Sequence, residues 1–307
     1  MSTSMRPCLL GVPWDRSSSW QPGAAAAPAL IRQALWSPST NSATELGIAI
    51  EAHTLDDAGD LALSDDGAEA RAAIERAVQA ILAAQGVPVV LGGDHSITYP
   101  VLRAFRGRPV AAILHIDAHG DLYDEFPAFA PASATGASAR LRPKAGEEAA
   151  RPAEEPPPLV PVHGQMDRYS HACPFARVME DGLTGRLVQV GVRTLTPHLA
   201  AQAARFGVEV YGMDRWRSVP VEALPGPLYV SLDLDGLDPA FAPGVAHPEP
   251  GGLSTRDVVD LLHRIRAPIA GIDIVEYNPR FDHRDLTARV AAKLLKEVTA
   301  VALRNQR

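Results

Sequence analysis

The chain has 307 residues, 46% of them hydrophobic, which is enough to bury a full core and fits one large α/β domain better than two small ones. Its net charge of −7, with no Lys/Arg cluster, speaks against nucleic acid as a partner, because phosphate binding needs a basic face. The 2 cysteines, Cys8 and Cys173, exclude a disulfide framework and a CxxC metal site, and no apolar run is long enough for a membrane span or a signal peptide; the expected setting is cytoplasmic.

In chain order, Cys8 to Pro13 reads as a short buried strand leading into a Ser- and aromatic-rich loop over 14–23. The Ala-rich stretch 24–36, with Pro28 in its first turns, predicts a helix. Between 37 and 66 the sequence is polar, and the strand expected there is Ile48 to His53. Residues 67–85 place Ile74, Val78, Ile81 and Leu82 on one helical face, with Gly86 as the stop. Val87 to Leu91 is an apolar strand that enters Gly92-Gly93-Asp94-His95-Ser96, and Ile97 to Phe105 reads as helix. Such a strand, glycine turn and helix lifts His95 clear at the carboxyl edge of a parallel sheet, where open α/β folds place their chemistry.

The apolar run Val110 to Leu114 is a further strand, leading into the His115 to Asp121 stretch. From Pro127 to about Gln165 the chain is dominated by Ala and Pro with almost no large apolar residues. Such a segment cannot offset its ordering entropy, so a disordered insertion at about 127–166 is expected inside one domain spanning 1–307. Regular structure resumes at Tyr169 with a helix to about Asp181, a strand at 187–192, a helix at 197–205 and a strand at 208–211. A strand from Leu228, a Pro- and Gly-rich loop over 238–252, a helix from its N-cap Ser254 to Ile265 and a strand at 269–276 follow. An amphipathic helix over 285–303 closes the chain. Strands alternating with helices imply right-handed βαβ units, hence a three-layer αβα sandwich around a mainly parallel sheet.

Two strand ends carry the chemistry. In His115-Ile116-Asp117-Ala118-His119-Gly120-Asp121, side chains able to bind a divalent metal recur at every second position, so Asp117, His119 and Asp121 project to one side as the strand runs out into a loop. Downstream, Ser231-Leu232-Asp233-Leu234-Asp235 repeats the pattern. With His95 these make four carboxylates and two imidazoles, more than one ion needs, and four unpaired Asp in one cleft repel each other severely unless cations are present. Two divalent cations balance the charge. Oxygen and nitrogen ligation without thiolate suits Mn(2+), with Ni(2+), Co(2+), Fe(2+) or Zn(2+) as alternatives. Such a pair can lower the pKa of a shared water and direct it at an electrophilic carbon.

Gly92-Gly93-Asp94-His95-Ser96, Asp117-Ala118-His119-Gly120-Asp121 and Ser231 to Pro239 together resemble the signatures of the ureohydrolase (arginase/agmatinase) family, in the right order and over nearly the whole chain. The resemblance implies an arginase-like fold and two Mn(2+) per subunit. His95 and Asp121 would serve one ion and His119 and Asp235 the other, with Asp117 and Asp233 bridging. It also implies hydrolysis of a guanidino group to urea and an amine, with Glu276 orienting the guanidinium and His171 relaying a proton to the departing amine. The substrate would be a small cationic guanidino compound, and trimeric or hexameric assembly is what the family implies.

The loop after the central motif reads Leu122-Tyr123-Asp124-Glu125-Phe126, and Tyr169 to Phe175 follows the insertion, a pattern similar to agmatinases and plant-type arginases. Agmatine is therefore the first substrate expected, with arginine, guanidinobutyrate or guanidine as alternatives. A non-enzymatic alternative is a relative that keeps the metal centre for assembly. Asp94, Asp124, Asp238 and His115 are read as turn or supporting residues, and Cys173 as packing.

Overall fold

The computed structural model describes residues 6–108, 110–131 and 159–306. Its strands are β1 (Arg6–Gly11), β2 (Asp56–Asp60), β3 (Gly86–Leu91), β4 (Ala112–Ile116), β5 (Phe126–Pro131), β6 (Leu159–Asp167), β7 (Leu187–Val190), β8 (Glu209–Tyr211), β9 (Leu228–Asp233) and β10 (Ile269–Val275). Eight of them form one sheet in the order β2-β1-β3-β10-β9-β4-β7-β8, and every pair within it is parallel. Parallel neighbours need crossovers, and helices supply them: α1 (Ala27–Leu35), α2 (Gly67–Ala83), α3 (Thr98–Arg103), α4 (Pro174–Glu180), α5 (Pro197–Phe206), α6 (Thr255–Arg264) and α7 (Leu286–Asn305).

Side chains alternate across each strand and so feed two separate cores. Leu228, Val230 and Leu232 of β9 pack with α1, α6 and α7, whereas Tyr229 of the same strand packs with α2, α3, α4 and α5 on the other face. Both faces of the sheet are therefore covered, which makes the three-layer αβα sandwich expected from the alternation of elements. Local signals set the ends of the helices. Asp66 caps α2 by accepting from the Ala68 and Glu69 amides, and Ser254 caps α6 in a capping box with Asp257.

Two expectations need correction. No strand forms at Ile48 to His53; Ile50 is buried from a loop, and the edge strand is β2, further along the chain, with the polar sequence DDAGD. An edge strand needs a partner on one side only, and β2 is held by its ladder to β1 and by ion pairs of Arg32 with Asp57 and Asp60 and of Arg6 with Asp56. The segment expected to be disordered is ordered at both ends, where β5 and β6 pair antiparallel as a two-stranded ribbon outside the main sheet. Its prolines, Pro127, Pro131 and Pro161, are tolerable because, among the described residues, neither strand has a second neighbour that needs the missing N–H. The interior of that segment, 132–158, lies outside the described residues.

The four central neighbours β3, β10, β9 and β4 all end at the same edge. His95 follows β3, Glu276 follows β10, Asp233 ends β9 with Asp235 in the turn after it, and Asp117, His119 and Asp121 follow β4. Sequence-distant residues thus meet because adjacent parallel strands terminate together.

Candidate metal centre

Each strand end aims its residues by a different local device. After β3 the chain turns at Gly93, where an added Cβ would lie 1.7 Å from the Trp14 carbonyl oxygen, so the tight approach tolerates glycine alone. That turn delivers His95, fully buried, whose backbone N–H donates to Glu276 Oε1 at 2.8 Å. β4 stops at Ile116, so strand alternation does not carry the central motif as expected; Asp121 instead bends back in a left-handed conformation with φ 48°. Glu276 is left-handed too, with φ 65°. Such a backbone costs a non-glycine residue about 1–3 kcal/mol, and strain of this kind clusters at functional sites.

The imidazole of His95 is the focus. Its Nδ1 lies 3.0 Å from Asp121 Oδ2, 3.0 Å from Asp233 Oδ2 and 3.3 Å from Asp117 Oδ2, yet has no hydrogen-bond partner among the described residues. Its Nε2 lies 3.0 Å from Ser231 Oγ, which donates its own proton to Asp273 Oδ1 at 2.7 Å. Ser231 must then accept from His95 Nε2–H, leaving a lone pair on Nδ1 facing three carboxylate oxygens. That arrangement is repulsive unless a cation stands among them. Asp273 holds the chain of bonds in place, because Thr98 and Tyr229 donate to its other oxygen at 2.8 and 2.6 Å.

A second focus lies beside the first. His119 Nδ1 sits 3.0 Å from Asp235 Oδ2 and 3.4 Å from Asp117 Oδ1, so Asp117 offers one oxygen to each imidazole. Asp233 and Asp235 repeat one scheme: Oδ1 accepts a backbone N–H, from Asp235 and Ala118 respectively, and Oδ2 points at a histidine. His115 serves differently. Gln189 donates to its Nδ1, so its Nε2–H donates to Asp117 Oδ2 at 2.7 Å, which makes it a support for Asp117. All six predicted ligands thus come together, and they form the nitrogen and oxygen donor set that suits a pair of divalent ions.

Electrostatics agree with that fit. Burial alone disfavours charge on His95 and His119, but the surrounding carboxylates outweigh it and push both pKa values up. Burial, with Asp235 and Asp117 alongside, pushes Asp233 well above the ordinary carboxylate range, and burial carries Asp235 to about 6. A cluster that draws protons onto imidazoles and carboxylates together is short of positive charge.

A cavity of about 220 Å³ opens over these residues. Predicted His171 and Glu276 both line it, with His171 Nδ1 3.3 Å from Glu276 Oε1. Burial opposes the charge on each, but their mutual attraction prevails, raising the pKa of His171 and lowering that of Glu276. The cavity also holds Tyr123 and Phe126 of the loop after the central motif, and residues that no sequence motif singled out: Ser19, Thr194, Thr196, His247 and Glu249. Ser19 Oγ lies 2.8 Å from His171 Nε2 and 3.2 Å from His247 Nε2. Burial, and then the neighbouring His171, lower the His247 pKa to about 4, keeping that ring neutral. The available signal for His247 and Glu249 was position, since the loop leaving an Asp-x-Asp strand end must pass the same sheet edge.

Comparison with known proteins finds relatives over nearly the whole chain. The model of the family described as "Arginase family" matches residues 6–300. Arginase 1, mitochondrial, of Arabidopsis thaliana is 41% identical over 312 residues, covering 95% of this chain and 80% of the relative. Guanidinopropionase of Pseudomonas aeruginosa is 30% identical over 306 residues, covering 94% and 84%. Among solved structures, arginase from Medicago truncatula superposes with a TM-score of 0.82 at 37% identity, over 98% of this chain and 89% of that one.

Proposed function

The chain belongs to the arginase family of hydrolases acting on guanidino C–N bonds, and from that premise we propose that it hydrolyses L-arginine to ornithine and urea at a dimanganese centre. His95 and Asp121 would hold one ion and His119 and Asp235 the other, with Asp117 and Asp233 shared. When bound, the ion pair supplies a water of lowered pKa. Glu276, kept ionised by His171, accepts the N–H groups of the guanidinium and fixes its carbon over the centre. Water adds to that carbon and the bond to the side-chain nitrogen breaks. An alkylamine with a pKa near that of Lys, about 10.4, leaves only when protonated. His171, whose pKa Glu276 raises against the effect of burial, gives a proton to the departing nitrogen.

The observation that carries the substrate assignment is the outer cavity wall. Tyr123 and Thr196 offer hydroxyls to an α-carboxylate, and Glu249 offers a carboxylate to an α-ammonium. The identity to named arginases supports the same choice over agmatine, the first substrate expected from the motifs. One feature favours agmatine as the second reading: the lining holds no Lys or Arg among the described residues, and the guanidinium of nearby Arg193 is spent on carbonyls of Glu249 and Asp235. A cationic tail needs no counter-cation. Urea release by the manganese-loaded protein, compared on L-arginine, agmatine and 4-guanidinobutyrate, decides between them. We expect kcat/KM on L-arginine to exceed the others at least about tenfold, a difference of about 1.4 kcal/mol in transition-state binding. A preference for agmatine would move the assignment to the second reading; no urea from any of them, with two ions bound, would leave a non-enzymatic role.

A further inference from the structure

A third cluster of metal-binding side chains lies in the cavity, apart from the six residues assigned above. His171, His247 and Glu276 each offer one donor atom, and the three atoms lie within 4.8 Å of one another. The two rings are 5.0 Å apart and tilted by 31°. Both present Nε2 to the single hydroxyl of Ser19, which has one proton and can donate to only one of them. His171 and Glu276 are buried at 13% and 5% side-chain exposure, whereas the cavity itself gives access from solvent.

We propose that His171, His247 and Glu276 form a third, inhibitory cation site, selective for borderline ions such as Zn(2+) over Mn(2+). Two imidazoles and one carboxylate are a three-ligand zinc set that leaves the fourth position to solvent. Zinc bonds of about 2.0–2.1 Å require donors about 3.3 Å apart, so from separations within 4.8 Å the side chains close by at most about 1.5 Å. The dinuclear centre has four carboxylates to two imidazoles, while this cluster has one to two. Hard Mn(2+) favours the first composition, and Zn(2+) gains most from the second. The inhibitory consequence rests on the reading of Glu276 as the guanidinium acceptor: a cation on Glu276 takes the position of the substrate's own positive group and occupies the imidazole that must protonate the leaving amine.

The test uses the manganese-loaded protein. Zinc uptake is followed by calorimetry and by elemental analysis after equilibrium dialysis. A third equivalent, bound with both manganese ions retained, is the expected result. His247→Asn should keep two manganese ions and its melting temperature while weakening the third equivalent at least about tenfold. Guanidinium chloride should compete with that equivalent in the unmodified protein. Should His247→Asn fail to fold, His171→Asn takes its place with the same expectation. Zinc that enters only by displacing manganese, with the total staying at two, overturns the proposal, and so does a third equivalent unchanged in the folded variant. Failure of the dinuclear assignment would be visible earlier and separately, as one manganese ion or fewer before any zinc is added.

Discussion

The carboxyl edge of the central sheet and the β5–β6 ribbon border the same cavity, but they are held in opposite ways. At the sheet edge the metal-facing side chains are fixed from behind by buried structure: His95 by Ser231 and Asp273, Asp117 by His115 and Gln189, and Asp235 by the Ala118 amide. The ribbon is held mainly by its own ladder, most of β6 is exposed, and its base flanks a small cleft against Ser17 and Ser18. Chemistry that needs sub-ångström placement sits where the packing over-determines it. The ribbon contributes a wall, which tolerates looser support.

That contrast places the heaviest losses at the sheet edge. Asp233→Ala removes an oxygen facing His95 Nδ1 and is expected to lower urea production by about three orders of magnitude or more, on the order of 4 kcal/mol of transition-state stabilisation. Bound manganese should fall in parallel by elemental analysis. Two retained ions and intact turnover would break the assignment of the centre. Next in size is Asp273→Asn, which touches no proposed ligand directly. It disturbs the Ser231 bond that sets the His95 tautomer, so manganese affinity should drop about 10–100-fold while excess Mn(2+) restores much of the rate. An equal loss of rate at saturating metal would mean that Asp273 does more than position His95.

How much of this was legible in the sequence follows the same divide. The strand-end residues were readable because carboxylates recurring with period two after apolar runs rarely arise from core or turn patterns, and adjacent parallel strands had to bring them to one edge. Their aim was not readable: Asp121 depends on a left-handed backbone, and no alternation rule gives that. Asp273 was visible only as one residue of the strand expected at 269–276, because three hydroxyls from separate elements surround it and none is near in sequence. β2 and the ribbon were missed for a shared reason. Edge and two-stranded elements bury little apolar surface, so they lack the hydrophobic pattern by which strands are read, and their ladders and ion pairs leave no local signature.

The sheet body also predicts where acid should act. Glu297 on α7 is fully buried and accepts from Lys293, His263 and the Glu45 amide. Burial opposes its ionisation, but Lys293 and His263 outweigh it and hold its pKa below the ordinary value. Because the folded pKa is depressed, the stabilisation is complete above the unfolded value of about 4.3 and is lost as pH falls through the folded one. Glu297→Gln should cost about 2 kcal/mol at neutral pH, from hydrogen bonds to a charged group. The melting temperatures of variant and parent should converge as pH drops below about 4. A constant gap across that range would show the carboxylate is held for its shape and not its charge.

The smallest expected effect tests the ribbon. Phe126 is the first residue of β5 and half-buried, and it lines the cavity with its ring 5.0 Å from Tyr123, 6.4 Å from Phe129 and 6.5 Å from His171. An aromatic contact of this kind contributes about 0.5–1.5 kcal/mol beyond its buried area. Phe126→Ala should therefore raise KM about 2- to 10-fold with kcat little changed, because a wall acts on bound substrate and transition state alike. The melting temperature should move by about 2 °C or less, since β5 pairs with no strand of the main sheet. A fall in kcat comparable to that of the sheet-edge variants would end the contrast, for it would mean that the ribbon aligns His171 as firmly as the strands align the metal-binding carboxylates.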